Sequence, residues 1–145
     1  MRAIVQEHPA TCAIACVASV LGVSYKRASK LFPSPGRATK GGYSWGYFCR
    51  DVVRALKLAK ADYTYSYIKP KKRPLLESPR CIAFLRRSKR YPAGHYLART
   101  EKGLWMDPWA NFPKNPAKCG FRKRLPGRAS YVICPVGALI PRNTP

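Results

Sequence analysis

The order of patterns along the chain predicts an α+β domain, with helices first and strands after. An apolar run at helical spacing lies near the N-terminus, and alternating aromatic and polar residues appear only in the second half. The apolar fraction of 46% and the aromatic fraction of 12% supply a core and argue against disorder. At 145 residues the chain has the length of one ordinary domain. No internal repeat or linker divides it. Residues 1–134 are expected to form that domain, and the Pro-rich residues 135–145 a C-terminal arm without its own core.

Thr11 is placed to cap the first helix, whose apolar residues run through Ile14, Ala15, Val17, Ala18, Val20 and Leu21. They surround the helix almost completely, so it is expected to be central and buried. Gly22 ends it. Ser24 caps a short second helix through Leu31, stopped by Pro33-Ser34-Pro35-Gly36. Ser44 is expected to begin a third helix with Tyr47, Phe48, Val52, Leu56 and Leu58 on its inner face. Strands are predicted over 62–68, 80–85, 95–99, 103–106 and 130–134, with Glu101-Lys102-Gly103 as a hairpin turn.

The formal net charge is +22, from 28 basic residues against 6 acidic ones. Such an excess costs stability through self-repulsion and favours an anionic partner, whether nucleic acid, acidic protein or anionic surface. The runs Lys69–Arg73, Arg86–Arg90 and Arg122–Arg124 are all expected between strands, at loop tips. Six cysteines would suit a secreted disulfide framework. However, Glu7, His8 and Pro9 stand where a signal peptide needs a basic start flowing into an apolar run. The apolar stretch from Cys12 to Val23 is too short for the roughly 20 residues that span a bilayer. A protein with reduced, mostly buried cysteines is therefore expected, in the cytoplasm or within a viral particle.

The chemistry concentrates on Gln6, Cys12, His95 and Asp107. A Cys opening a helix sits where the dipole favours a thiolate, the form that acts as nucleophile. An imidazole shuttles its proton, and a carboxylate orients the ring. A Gln just upstream can donate a side-chain N–H to an oxyanion, beside the Cys backbone N–H. His95 opens a strand-like run, whereas His8 precedes a proline in a loop. Asp107 is the sole Asp after His95 and lies across a hairpin from it, with Asn111 as a fallback. Cys16, one turn after Cys12, reads as packing behind the nucleophile. A zinc site of Cys12, Cys16 and His8 lacks the usual ligand spacing. Tyr43, Trp45, Tyr47, Phe48, Trp105 and Trp109 read mainly as core, with Trp109 placed to wall a cleft or shield the His–Asp pair. Gly41-Gly42 reads either as room for an extended substrate or as a plain loop.

Gln6-x5-Cys12-x3-Cys16, Gly94-His95-Tyr96-Leu97 and Trp105-Met106-Asp107-Pro108 together resemble the papain-like peptidases of the C39 and C39-like group. Thr11 and Ala13 stand where that group often has Asp and Gly. The resemblance implies a papain-like fold and a cysteine peptidase or related thiol hydrolase. Its catalytic residues would be Cys12, His95 and Asp107, with Gln6 as oxyanion donor, acting on a peptide or protein substrate without a cofactor or metal. The alternative from charge is the same fold as a basic structural or binding component of a larger assembly. A phage virion or a nucleoprotein particle would be such a setting.

Overall fold

The computed structural model describes residues 1–33 and 46–138. Among the described residues three α-helices, α1 (Cys12–Leu21), α2 (Tyr25–Ser29) and α3 (Cys49–Leu58), precede the strands. The strands are β1 (Tyr63–Tyr67), β2 (Ile82–Leu85), β3 (His95–Arg99), β4 (Trp105–Asp107), β5 (Gly120–Arg122) and β6 (Ala129–Pro135). A 3₁₀ helix over Pro70–Glu77 links β1 to β2. The architecture is α+β, as the sequence predicts.

Every residue of α1 from Cys12 to Val20 is buried, because a helix apolar on all sides is stable only when covered on all sides. Burial of Ile14 and Val17 contributes about 1.5–3 kcal/mol each. Gly22 closes the helix in the left-handed conformation at φ 70°, and the Val23 N–H returns to the Ala18 carbonyl at 3.0 Å. Thr11 precedes α1 but does not cap it through its side chain. Its hydroxyl is held instead by the preceding turn, accepting from the His8 N–H at 3.1 Å and donating to the His8 carbonyl at 3.0 Å. The Tyr25 hydroxyl donates to the Thr11 hydroxyl oxygen at 2.7 Å. Ser24 caps α2 as expected, accepting from the Arg27 N–H at 3.1 Å.

α3 departs from its predicted inner face. It starts at Cys49, where the Phe48 N–H donates to the Asp51 carboxylate at 2.8 Å. Cys49, Val52, Ala55 and Leu56 form the buried stripe, while Phe48 and Leu58 are 58% and 62% exposed. Leu58 is two residues beyond Leu56, about 200° round the helix, and so points to solvent. Tyr43, Trp45, Gly41-Gly42 and the predicted cap Ser44 lie outside the described residues.

The strands form one antiparallel sheet in the order β1-β6-β2-β3-β4-β5. Alternation gives it two buried faces. Ile82, Tyr96, Ala98 and Ile133 pack with the helices, and α1 lies on β3. Ala83, Leu85, Leu97, Val132 and Cys134 face Leu75 of the 3₁₀ helix. The Glu101–Gly103 turn forms as predicted, with Gly103 at φ 81° and the Thr100 N–H bonded to the Leu104 carbonyl at 2.8 Å. β5 corrects the reading of Arg122–Arg124 as a loop tip: Arg122 is a strand residue opposite Trp105. All six cysteines are free, five of them buried and Cys119 partly exposed. Among the described residues no helix is long and apolar enough to cross a membrane. Residues 139–145 of the expected arm lie outside the described residues. Before them, the Val136 N–H is tied to the Asp62 carbonyl at 2.8 Å.

Candidate active site

His95 and Asp107 arrive from adjacent strands. His95 opens β3 and Asp107 closes β4, and their pairing brings His95 Nε2 within 2.7 Å of Asp107 Oδ1. With Nε2 engaged by the carboxylate, Nδ1 is the ring nitrogen left for Cys12. Cys12 lies at the first turn of α1, where the leading N–H groups have no intrahelical acceptor. Burial is the largest single influence on His95 and opposes its charge. Hydrogen bonding to Asp107 and Cys12, with the charges of both, outweighs it and raises the pKa from 6.5 to about 9.

Asp107 is fully buried and every oxygen is occupied. Oδ1 accepts from His95 and from the Trp109 N–H at 2.9 Å, and Oδ2 accepts from Arg122 Nε at 2.7 Å. Burial pushes its pKa up, but the His95 bond and charge, Arg122 and the Trp109 N–H together hold it below the usual carboxylate value. Cys16 lies behind Cys12 with no exposure. Burial first, then the neighbouring Cys12 and Asp107, keeps its thiol protonated well above the ordinary range. That is the behaviour of a packing residue.

An aromatic wall encloses the His–Asp pair. Tyr91 stacks on the His95 ring with centroids 4.7 Å apart and planes 5° from parallel. Phe112 packs on Tyr91 at 5.2 Å and meets Trp109 edge-on at 4.8 Å. Of the two sequence readings of Trp109, the shield fits: it is 6% exposed and its indole N–H donates to the Lys114 carbonyl at 2.8 Å. Trp105 and Tyr47 are buried, as predicted. Asn111 is engaged elsewhere, donating to the Pro116 carbonyl and accepting from the Lys118 N–H.

Gln6 is 4% exposed and sits beside the same loop, its N–H donating to the Pro108 carbonyl at 3.2 Å. Its side-chain nitrogen donates to the carbonyls of His8 at 2.9 Å and Pro9 at 3.1 Å, and Oε1 is buried without a partner among the described residues. The amide therefore fastens the turn leading into α1. Among the described residues no cluster of three or more metal-ligating side chains is present, and His8 is exposed.

Cys12 lines a cavity of about 330 Å³ together with the aromatic residues Phe84, Tyr96 and Tyr131 and the cations Arg50 and Arg87. Tyr96 fixes one wall by donating to the Tyr47 carbonyl at 2.7 Å. The arrangement joins a buried, oriented imidazole to a thiol at the edge of an apolar cleft, which suits thiolate attack on a carbonyl.

No family model matches the chain, and no curated protein does. Solved structures do. The peptidase domain of Streptococcus ComA, a bi-functional ABC transporter involved in a quorum-sensing pathway, is similar with a TM-score of 0.54 and 16% identity. The similarity covers 91% of this chain and 95% of that one. The chain has the C39-like peptidase fold. A double glycine motif protease from an AMS/PCAT transporter, in complex with its leader peptide, is similar at a TM-score of 0.50 and 16% identity. That likeness covers 92% of this chain and 89% of the other. The C39-like fold accounts for the helices-then-sheet order, with α1 delivering its N-terminus to the start of β3.

Nothing in the sequence marks Arg122, Tyr91 or Phe112 as neighbours of the His95–Asp107 pair. Arg122 is one of 28 basic residues inside a basic run. Its partner is legible only once Asp107 is known to be buried, in a chain where carboxylates are scarce. Tyr91 precedes His95 by four residues, but only the turn at Gly94 (φ 77°) brings the two rings together.

Proposed function

We propose that the protein is a cysteine peptidase or related thiol hydrolase with Cys12 as nucleophile, His95 as acid–base and Asp107 as orienting carboxylate. The observation that carries it is the 2.7 Å His95–Asp107 bond on a ring whose charge is also favoured by Cys12. The Cys12 thiolate attacks the scissile carbonyl carbon. The oxyanion is held by the Cys12 N–H, with Gln6 Nε2 as second donor. Imidazolium His95 protonates the leaving amine, and water, deprotonated by neutral His95, then releases the acyl group. For Gln6 this requires sharing one of its two loop bonds. A charged oxyanion competes well against a neutral carbonyl, because charge-assisted hydrogen bonds are roughly twice as strong. The aromatic lining suits a peptide carrying an apolar side chain near the scissile bond. A peptide substrate also accords with the neighbouring protease found in complex with a leader peptide.

The test is an electrophilic peptide probe with a peptide library. Covalent capture at Cys12 that requires His95, together with cleavage lost in Cys12→Ala, supports the reading. Capture spread over several cysteines, or cleavage surviving Cys12→Ala, refutes it.

A second role is favoured by one observation. Lys69–Arg73 is exposed on the start of the 3₁₀ helix, whose Leu75 packs on the sheet face opposite the helices. That position, away from the Cys12 cleft, suits a polyanion or another subunit of an assembly. The other runs differ, since Arg87 borders the cavity and Arg122 binds Asp107.

A further inference from the structure

A Cys–His–Asp line has no general need of a guanidinium, yet Arg122 reaches into this one. Arg122 Nε donates to Asp107 Oδ2 at 2.7 Å, and a terminal nitrogen donates to the Ala110 carbonyl at 2.9 Å. The side chain is fixed at two points. It is 25% exposed, while the Asp107 side chain has no exposure. Register makes the contact possible: Asp107 stands opposite Gly120, which has no side chain to intervene. Arg122, two residues along the same strand, lies within diagonal reach. With His95 and the Trp109 N–H on Oδ1, Arg122 completes the set that fixes both carboxylate oxygens.

The charges explain why a cation belongs there. When Cys12 is a thiolate and His95 an imidazolium, the line from Cys12 to Asp107 carries one net negative charge in a site almost closed to water. Arg122 returns the sum to zero. A buried excess charge is costly unless compensated, and without compensation the site retains a proton to a higher pH. The geometry points to Arg122 as a positioning residue that balances the charge of the catalytic line, holding Asp107 oriented against His95 so that the ion-paired form of the line is favoured. This rests on the thiol-hydrolase reading of the same site. A lysine at this position restores the charge but not the two-point hold.

The experiment follows Cys12 alkylation by iodoacetamide from pH 5 to pH 9 in the full chain, quantified by peptide mass mapping. His95 ring shifts are followed by NMR in parallel, and circular dichroism checks folding. Arg122→Gln should slow Cys12 alkylation about tenfold at pH 6, with the gap narrowing towards pH 9. His95 should titrate at higher pH than in the wild type, and Arg122→Lys should recover most of the rate. In an Asp107→Asn background, where no carboxylate needs a counter-charge, Arg122→Gln should have a much smaller effect. A folded Arg122→Gln with an unchanged pH profile, or slowed equally at every pH, overturns the proposal. Should Arg122→Gln not fold, the wild-type Arg122 Nε–H resonance decides. It should move with the His95 titration, and a flat resonance overturns the proposal. A wild-type Cys12 no more reactive than Cys49 or Cys119 would refute the hydrolase reading itself, and the two NMR titrations would still judge the charge balance.

Discussion

Burial alone would discharge His95, because an imidazolium cut off from water loses its hydration. Asp107 and Cys12 reverse that outcome and lift the pKa to about 9, so the ring is charged at neutral pH. Its NMR titration should centre near that value and fall in Cys12→Ala, which removes one stabilising partner. The folded pKa exceeds the ordinary 6.5, so the stabilisation is complete below about pH 6.5 and is lost as pH rises through about 9. Denaturant midpoints of the wild type should therefore decline over that window, and those of His95→Ala should decline less. Asp107 has the opposite sign: its lowered pKa gives stability present above its ordinary value of 3.8 and lost in acid. If Asp107 only orients His95, as proposed, Asp107→Asn should keep more activity than Cys12→Ala or His95→Ala. It also leaves Arg122 without its anion, at a cost of about 1–3 kcal/mol read from urea unfolding. Cys12→Ala should leave the fold intact, and its unfolding would mark Cys12 as a packing residue instead.

Between β2 and β3, Gly94 holds a position that a side chain would crowd. At φ 77° it turns the chain into His95, and a Cβ there would lie 2.6 Å from Phe84 Cε2 and 2.8 Å from the Leu85 carbonyl oxygen. Gly94→Ala should destabilise the protein by about 2–4 kcal/mol and displace His95. Gly22→Ala shares the positive φ, but no atom lies within 4 Å of its Cβ, so it should cost only about 1 kcal/mol. Thermal unfolding of the pair separates crowding from backbone strain. The same elements show what a sequence exposes. α1 was legible because an all-apolar helix bounded by Gly22 has one stable placement, and β1 because its tyrosines alternate. β5 was not: three residues beginning with Gly120 and ending in a basic run carry no periodic signal, and their pairing with β4 is a tertiary fact. The Cys12, His95 and Asp107 constellation was legible as an ordered set of residue types. The hold on Gln6 by His8 and Pro9, and the aromatic wall of Tyr91, Phe112 and Trp109, depend on how loops fold back and leave no spacing to read.

Across the whole molecule the charge of +22 divides between roles. Arg122 is consumed in the site, Arg87 borders the cleft, and Lys69–Arg73 projects from the far side of the sheet. If that last run serves a polyanion, binding to nucleic acid should weaken steeply with salt and show little sequence preference. Reversing Lys71, Lys72 and Arg73 to Glu should abolish such binding and leave Cys12 alkylation unchanged. Absence of binding at about 50 mM salt would remove the polyanion role. Reactivity at Cys12 is independent of that result and is read from the six free cysteines. Exposure alone singles out Cys119, since the other five are buried. Brief treatment of the folded wild type with iodoacetamide near neutral pH, followed by peptide mapping, should find Cys12 modified first and its rate cut sharply in His95→Ala. Labelling led by Cys119 or Cys49 with Cys12 inert, or a Cys12 rate indifferent to His95, would rule out a Cys12–His95 nucleophile.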